Sequence, residues 1–179
     1  VTDSNTGFQN GLLSINSMHN AGFTGEGILI AVMDGGFTGA NRTEAFRHVF
    51  ENDRLLYTMD FVHNTSDVYK DSDHGTETMS TFSAKVGERY IGSAYNVDLA
   101  LFITENIPDE YRIEEYNWLF AAERADSLGA DIIHASLGYF DFDDANMTYP
   151  FSALNGTTAV VTKAANFATD KGILVVTSA

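Results

Sequence analysis

Short runs of Val, Ile, Leu and Ala alternate along this chain with longer segments in which apolar residues recur at helical spacing. The runs with the length of buried strands are 28–33, 99–104, 131–135 and 173–177. Between them, apolar and small residues predict helices over 118–128 and 160–168. Parallel strands joined by helical crossovers produce this alternation. We therefore expect a three-layer α/β fold, with a mainly parallel central sheet and helices on both faces.

The sequence shows no sign of a second domain. Its 179 residues contain no internal repeat, no low-complexity tract and no linker rich in Pro, Gly or Ser. Hydrophobic residues make up 44% of the chain, which is enough to bury a core. We expect a single unit, or a large piece of one, over residues 1–179.

The charge balance excludes several kinds of partner. Because 25 acidic residues face 10 basic ones, the formal net charge is -15 and a nucleic-acid backbone would be repelled. The absence of cysteine removes disulfides and thiol nucleophiles. No apolar run approaches the roughly 20 residues that span a bilayer. We expect neither nucleic-acid binding nor a membrane span, whereas the many carboxylates are compatible with structural calcium sites.

A carboxylate stands where the first predicted strand meets a turn. Residues 28–33 are followed by Asp34, Gly35 and Gly36, and open parallel sheets place their ligand sites at the carboxyl ends of strands. Three enzyme classes use such an aspartate: phosphoacceptor domains, phosphatases with an Asp-x-Asp pair, and proteases whose aspartate orients a histidine. Gly36 occupies the place of the second phosphatase aspartate. An aspartate that only initiates a turn is an equal alternative.

His74 has the surroundings expected of a functional histidine. It stands in the polar segment 71–76, and several of the residues after position 79 are small. This pattern predicts a closely packed helix that begins at His74 and turns the imidazole toward a cleft. A general base and an ordinary loop histidine both stay open as interpretations.

We predict no metal site in the chain. Asp71, Asp73 and His74 could be drawn as ligands, but alternating acidic residues in a polar loop usually form a solvated face. The histidines without a partner at a spacing such as His-x-x-x-His stand at positions 19, 48, 63 and 134. We interpret those histidines as structural or exposed.

Three spaced segments together resemble the subtilisin-like serine proteases. That family places its aspartate in a pattern such as V-A-V-I-D-T-G, which resembles IAVMDGG at residues 30–36. Its histidine motif, H-G-T-x-x-[AS], is matched by residues 74–76, with Met79 and Ser80 after them. A third block, D-V-I-N-x-S-L-G, is similar to DIIHASLG at residues 131–138. The match covers nearly the whole chain in the order that the family has.

The resemblance implies a fold, a chemistry and a site. The fold would be the subtilisin-like one, incomplete in this chain, with a helix over 12–19 before the first strand. Asp34 would orient His74, and His74 would take the proton of a serine and return it to the leaving amine without any required cofactor. The walls of the primary specificity pocket would be Ser136, Leu137 and Gly138 on one side and Thr177 and Ser178 on the other.

The chain also departs from the family pattern. His134 stands where the family usually has asparagine, Gly35 replaces the usual Thr or Ser, and the acidic loop 104–111 is longer than typical and a candidate for altered distal subsites. The Gly-Thr-Ser block that carries the nucleophile is absent. Because residues 173–178 read as a central strand, we expect a cut or divided polypeptide whose catalytic serine lies on a separate C-terminal fragment.

The leading hypothesis is a serine endopeptidase that hydrolyses peptide or protein substrates with an Asp-His-Ser triad, this chain supplying the aspartate and the histidine. We expect it to be secreted or extracellular, with the cell surface and the periplasm as alternatives. A non-catalytic interaction domain that kept the protease fold is the second hypothesis. The third is a phosphoacceptor domain, which would not need the His-Gly-Thr block.

Overall fold

A five-stranded sheet forms the centre of the computed structural model, which describes residues 6–178. Its strands are β1 (Leu29–Asp34), β2 (Leu55–Asp60), β5 (Asp98–Ile103), β6 (Ile132–Ala135) and β7 (Leu174–Thr177). Their order is β2-β5-β1-β6-β7, and every neighbouring pair is parallel. A separate antiparallel hairpin joins β3 (Lys85–Val86) to β4 (Tyr90–Ile91). The predicted, mainly parallel sheet is confirmed.

Helices connect these strands. They are α1 (Gly7–Leu12), α2 (Ile15–Asn20), α3 (Arg47–Glu51), α4 (His74–Ser83), α5 (Ile113–Leu128) and α6 (Val160–Asp170), with single 3₁₀ turns at Glu44–Phe46 and Phe151–Ala153. Over residues 6–178, none of them combines the length and the apolar character that crossing a membrane requires.

Two hydrophobic clusters lie on opposite faces of the sheet. Along β1, Ala31 and Met33 pack in a cluster that contains Trp118 and other residues of α5 and α6. Ile30 and Val32 pack in the second cluster, which contains residues of α3 and α4. Successive side chains of a strand point to opposite faces, so a strand that is apolar throughout is buried on both. The predicted three-layer arrangement is therefore confirmed, with α5 and α6 on one face and α4 on the other.

The four predicted strands are present, each within one residue of the predicted bounds. The expected central strand over 173–178 lies instead at the edge of the sheet that residues 6–178 form, as β7. The sequence pattern did not reveal β2, since that edge strand is only partly buried and its apolar run is short. The predicted helix over 12–19 is wrong as one element. Ser14 takes a left-handed conformation (φ 58°), which ends α1 and makes α2 a separate helix.

Two neighbouring glutamates of α5 are buried and bind backbone groups of other segments. Glu114 accepts hydrogen bonds from the backbone N–H groups of Asn106 (2.7 Å) and Tyr111 (3.3 Å). Glu115 accepts one from the N–H of Val161 in the first turn of α6 (3.1 Å) and one from the Tyr149 hydroxyl (2.7 Å). A carboxylate at a helix N-terminus satisfies amides that lack an intrahelical partner. These two residues therefore connect α5 to the surface segments around it.

Candidate active site

Asp34 is the last residue of β1, the central strand. Its neighbours are β5 and β6, so the carboxyl ends of three parallel strands meet at this edge of the sheet. Asp34 continues the alternation of Ile30 and Val32, which directs its side chain to the face covered by α4. The side chain is 1% exposed. Burial therefore leaves this carboxylate dependent on hydrogen-bond donors from the protein.

His74 begins α4 and meets Asp34 at hydrogen-bond distance. Its Nδ1 lies 2.9 Å from each carboxylate oxygen of Asp34. The backbone N–H of Gly35 (2.8 Å) and the hydroxyl of Thr78 (3.4 Å) donate to the same carboxylate. Burial raises the pKa of Asp34, and these hydrogen bonds oppose that effect. With Nδ1–H donating to Asp34, the other ring nitrogen of His74, Nε2, is the basic one.

Gly75 allows α4 to approach β1 this closely. A Cβ at Gly75 would lie 2.5 Å from the carbonyl oxygen of Gly36 and 2.9 Å from the Cβ of Asp34. The Gly75 N–H donates to that same carbonyl at 3.1 Å. The glycine after the histidine is therefore a packing requirement of the Asp34–His74 pair.

A cleft of about 240 Å³ opens beside the pair. Its lining residues are Asp34, Gly35, Ser72, His74, Glu105, Ile107, Glu110, Ser136, Leu137 and Gly138. The segment 105–110 follows β5 and forms one wall, and the segment 136–138 follows β6 and forms the other. The predicted pocket residues Ser136, Leu137 and Gly138 thus lie in one cleft with Asp34 and His74. The geometry is that of a site where a base faces a groove between two loops.

The family model for the subtilases matches residues 25–179. The chain belongs to the subtilase family. The resemblance drawn from the three sequence blocks is therefore confirmed. A comparison with curated proteins found no match.

Solved subtilase-like structures share the fold. MycP1 from Mycobacterium smegmatis is 21% identical, with a TM-score of 0.65, and the match covers 94% of this chain and 43% of that one. The MycP3 protease of the type VII (ESX-3) secretion system is 19% identical, with a TM-score of 0.69, and the match covers 94% of this chain and 44% of that one. The prenylagaramide maturation protease PagA is 18% identical, with a TM-score of 0.60, and the match covers 91% of this chain and 49% of that one. This subtilase chain spans less than half the length of each of these structures.

Thr177 and Ser178 lie behind the wall formed by residues 136–138. Thr177 pairs with Ala135, and the Ser178 hydroxyl donates to the carbonyl oxygen of Leu137 at 3.0 Å. Neither residue is among those that line the cleft beside His74. Their predicted part in a specificity pocket stays a prediction, and Ala179 lies outside the described residues.

Glu105 lines the cleft, and the sequence pattern indicated no role for it apart from that of the acidic loop 104–111. It is 8% exposed, and its Oε1 accepts hydrogen bonds from the hydroxyls of Thr104 (2.6 Å) and Tyr139. Burial is the main cause that raises the pKa of Glu105 to about 7. Nothing in the sequence pairs Glu105 with Tyr139, because the two belong to different loops.

Gly35 and His134 are the two departures from the family pattern that lie beside the predicted site. The N–H of Gly35 donates to Asp34, and the side chain of Ile107 occupies the space that a Cβ at position 35 would need. His134 lies on β6, with its ring 5.3 Å from that of Phe82 in α4. Its Nδ1 is buried without a hydrogen-bond partner in the described part of the chain, and burial lowers the pKa of His134. These contacts make His134 a packed residue of the α4 face.

The structure does not bring together the residues that the sequence analysis considered as metal ligands, which are Asp71, Asp73 and His74. Within residues 6–178, the group with three ligand atoms inside 4.8 Å of one another consists of Asp60, His63 and Asp71. The ammonium group of Lys70 lies beside these residues, with its Nζ 2.9 Å from Oδ2 of Asp60. A lysine ammonium supplies the positive charge that a cation would bring. We therefore interpret this group as an ion-pair network.

Substitution of Gly75 should destabilise the fold at the site. Because a Cβ there meets backbone of residue 36, we expect Gly75→Ala to lower the free energy of unfolding by about 1–3 kcal/mol. Gly11→Ala is the matched control, since a Cβ at Gly11 meets nothing within 4 Å. Urea unfolding followed by circular dichroism measures both. Equal stability of the two variants would contradict the packing requirement.

Glu105 should make stability depend on pH. Its pKa is about 7 in the fold against 4.5 as the ordinary value, so the folded protein retains a proton that the unfolded chain has released between these pH values. Stability is thus lost as pH rises from about 4.5 to 7. Between pH 5 and pH 8, we expect the free energy of unfolding of Glu105→Gln to fall by on the order of 1–3 kcal/mol less than that of the parent protein. Urea unfolding of both proteins at the two pH values measures this difference. An equal fall in both proteins would contradict the prediction.

Proposed function

We propose that this subtilase chain supplies the orienting aspartate and the catalytic base of a serine endopeptidase. The observation that carries the proposal is the Asp34–His74 pair, in which both carboxylate oxygens lie 2.9 Å from Nδ1 and the histidine side chain is 49% exposed. A buried carboxylate holds the imidazole in one tautomer, while the exposed part of the ring borders the cleft. This is the arrangement that an acyl-transfer reaction requires of its base.

In the proposed reaction, Nε2 of His74 removes the proton of a serine hydroxyl as the oxygen attacks the substrate carbonyl. The imidazolium that forms is stabilised by the carboxylate of Asp34. His74 then gives the proton to the leaving amine, and a water molecule repeats the sequence to release the acyl group. The reaction uses no cofactor.

We propose that the serine comes from a C-terminal fragment of the same protease. Two features support this. The sequence lacks a Gly-Thr-Ser block, and β7 is an edge strand whose side chains Leu174 and Val176 are 60% and 44% exposed. Leu174 and Val176 pair with Ile132 and His134 of β6, and Ile132 packs in the hydrophobic cluster on the face covered by α4. A fragment that covers Leu174 and Val176 on this face would bury apolar surface and bring a side chain toward His74.

The proposed substrate is a peptide or protein in an extended conformation. The segments 105–110 and 136–138 form the two walls of the cleft, and the groove between them suits a strand-like ligand. Location outside the cell or in its envelope is part of the proposal. One structural neighbour, MycP1, comes from the ESX-1 type VII secretion system, which supports this location.

Removal of either member of the pair should abolish turnover. In the complete protease, we expect His74→Ala and Asp34→Ala each to lower kcat by about 10⁴-fold while the fold is kept. His63→Ala is the matched control, because His63 also bonds an aspartate, Asp60, at 2.9 Å but lies outside the cleft that His74 lines. Rates with a chromogenic peptide measure the effect. A loss of less than about tenfold for His74→Ala would reject the proposal.

A fluorophosphonate should label the protease on a serine outside this chain. His74 activates that serine, so we expect His74→Ala to abolish labelling and the His63→Ala control to retain it. Intact mass of the purified sample shows which polypeptide carries the label. If the complete protein is never labelled, the second hypothesis, a non-catalytic interaction domain with the protease fold, takes its place.

A further inference from the structure

The two walls of the cleft are joined to each other at one end by side chains. Tyr139 directly follows Gly138, the last lining residue of one wall, and its hydroxyl donates to Oε1 of Glu105, the first lining residue of the other. Glu105 is buried and Tyr139 is half-buried. This hydrogen bond therefore connects one wall to the other at a buried residue of the cleft.

A second connection joins the wall formed by 105–110 to the chain that continues beyond the other wall. The N–H of Glu110 donates to Oδ2 of Asp143 at 3.1 Å, and the N–H of Asp143 donates to the carbonyl oxygen of Glu110 at 3.0 Å. Glu110 is the last lining residue of its wall. The loop after β6 is thus bonded to the 105–110 wall at Glu105 and again at Glu110.

Side chains of α5 also hold the wall formed by 105–110. Glu114 accepts hydrogen bonds from the N–H groups of Asn106 and Tyr111, on either side of the wall's exposed tip. The side-chain amide of Asn117, also on α5, donates to the carbonyl oxygen of Thr104 at 3.1 Å. This wall is therefore fixed to α5, and the hydrogen bonds from Tyr139 and Asp143 set where the loop after β6 lies relative to it.

We propose that Glu105 and Tyr139 are positioning residues that fix the separation of the two cleft walls for an extended peptide substrate. The inference rests on the proposed function. Neither residue touches the reacting atoms in this role. Glu105 acts through Tyr139, and Tyr139 acts through Gly138, the neighbour whose backbone lines the cleft.

The choice of a carboxyl group at position 105 supports a role beyond packing. A buried carboxyl group without a cation as partner costs free energy, and apolar residues of similar size usually stabilise a core better. The raised pKa of Glu105 reflects that cost. What the carboxyl group adds is a directed acceptor for Tyr139 and Thr104, and hydrogen bonds of this kind define distances that apolar contacts leave adjustable.

The test compares a substrate that fills the cleft with one that does not. The complete protease is assayed with an extended peptide and with a single-residue ester. We expect Tyr139→Phe to raise KM for the peptide about threefold to tenfold, the range for one lost hydrogen bond, with little change in kcat or in the kinetics of the ester. Tyr116→Phe is the matched control, because Tyr116 is exposed on α5.

Substitution of the acceptor provides the second test. Glu105→Gln keeps an oxygen that can accept from Tyr139, so its KM for the peptide should stay within about twofold of the parent, whereas Glu105→Ala should match Tyr139→Phe. Unchanged peptide KM in Tyr139→Phe, or equal losses with both substrates, would overturn the inference while leaving the proposed function intact. A parent protein that hydrolyses neither substrate would overturn both.

Discussion

A carboxylate buried at the end of the central strand is the constraint around which this site is built. Asp34 is 1% exposed and faces away from water, so its charge is tolerated only where donors surround it. Those donors come from three places: the ring of His74, the backbone of Gly35 and the hydroxyl of Thr78. Two of them belong to α4, which therefore has to begin directly above the carboxyl end of β1. The helix start, the histidine and the small residue at position 75 follow from that single requirement.

Much of this arrangement could be predicted because it is local in the sequence. An apolar run that ends on an aspartate identifies β1 and its carboxyl end, and the small residues after His74 indicate a closely packed helix. The alternation of strands and helices then gives the layers without any knowledge of contacts. Segment 136–138 lies in the cleft because it follows a strand that neighbours β1.

Other features depend on contacts between residues far apart in the chain, which no local pattern encodes. Tyr139 and Glu105 meet only because β5 and β6 lie on either side of β1. The break between α1 and α2 depends on the backbone conformation of Ser14, a residue type found in many helices. Loop 104–111 is acidic, yet Glu105 within it is buried where the hydroxyls of Tyr139 and Thr104 donate to it. Burial of a polar residue is decided by the fold around it, so charge in the sequence is a poor guide here.

The consecutive glutamates of α5 also have a consequence for motion. Because neighbouring helix residues point about 100° apart, Glu114 and Glu115 bind two different surface segments from one rigid turn. The amide hydrogens of Asn106, Tyr111 and Val161 donate to these buried carboxylates. Exchange of those hydrogens with solvent deuterium then requires the segment to separate from α5, although the tip of the loop between Asn106 and Tyr111 is exposed. The two ends of this loop are therefore tied to a buried turn of α5, and their amide hydrogens should exchange slowly.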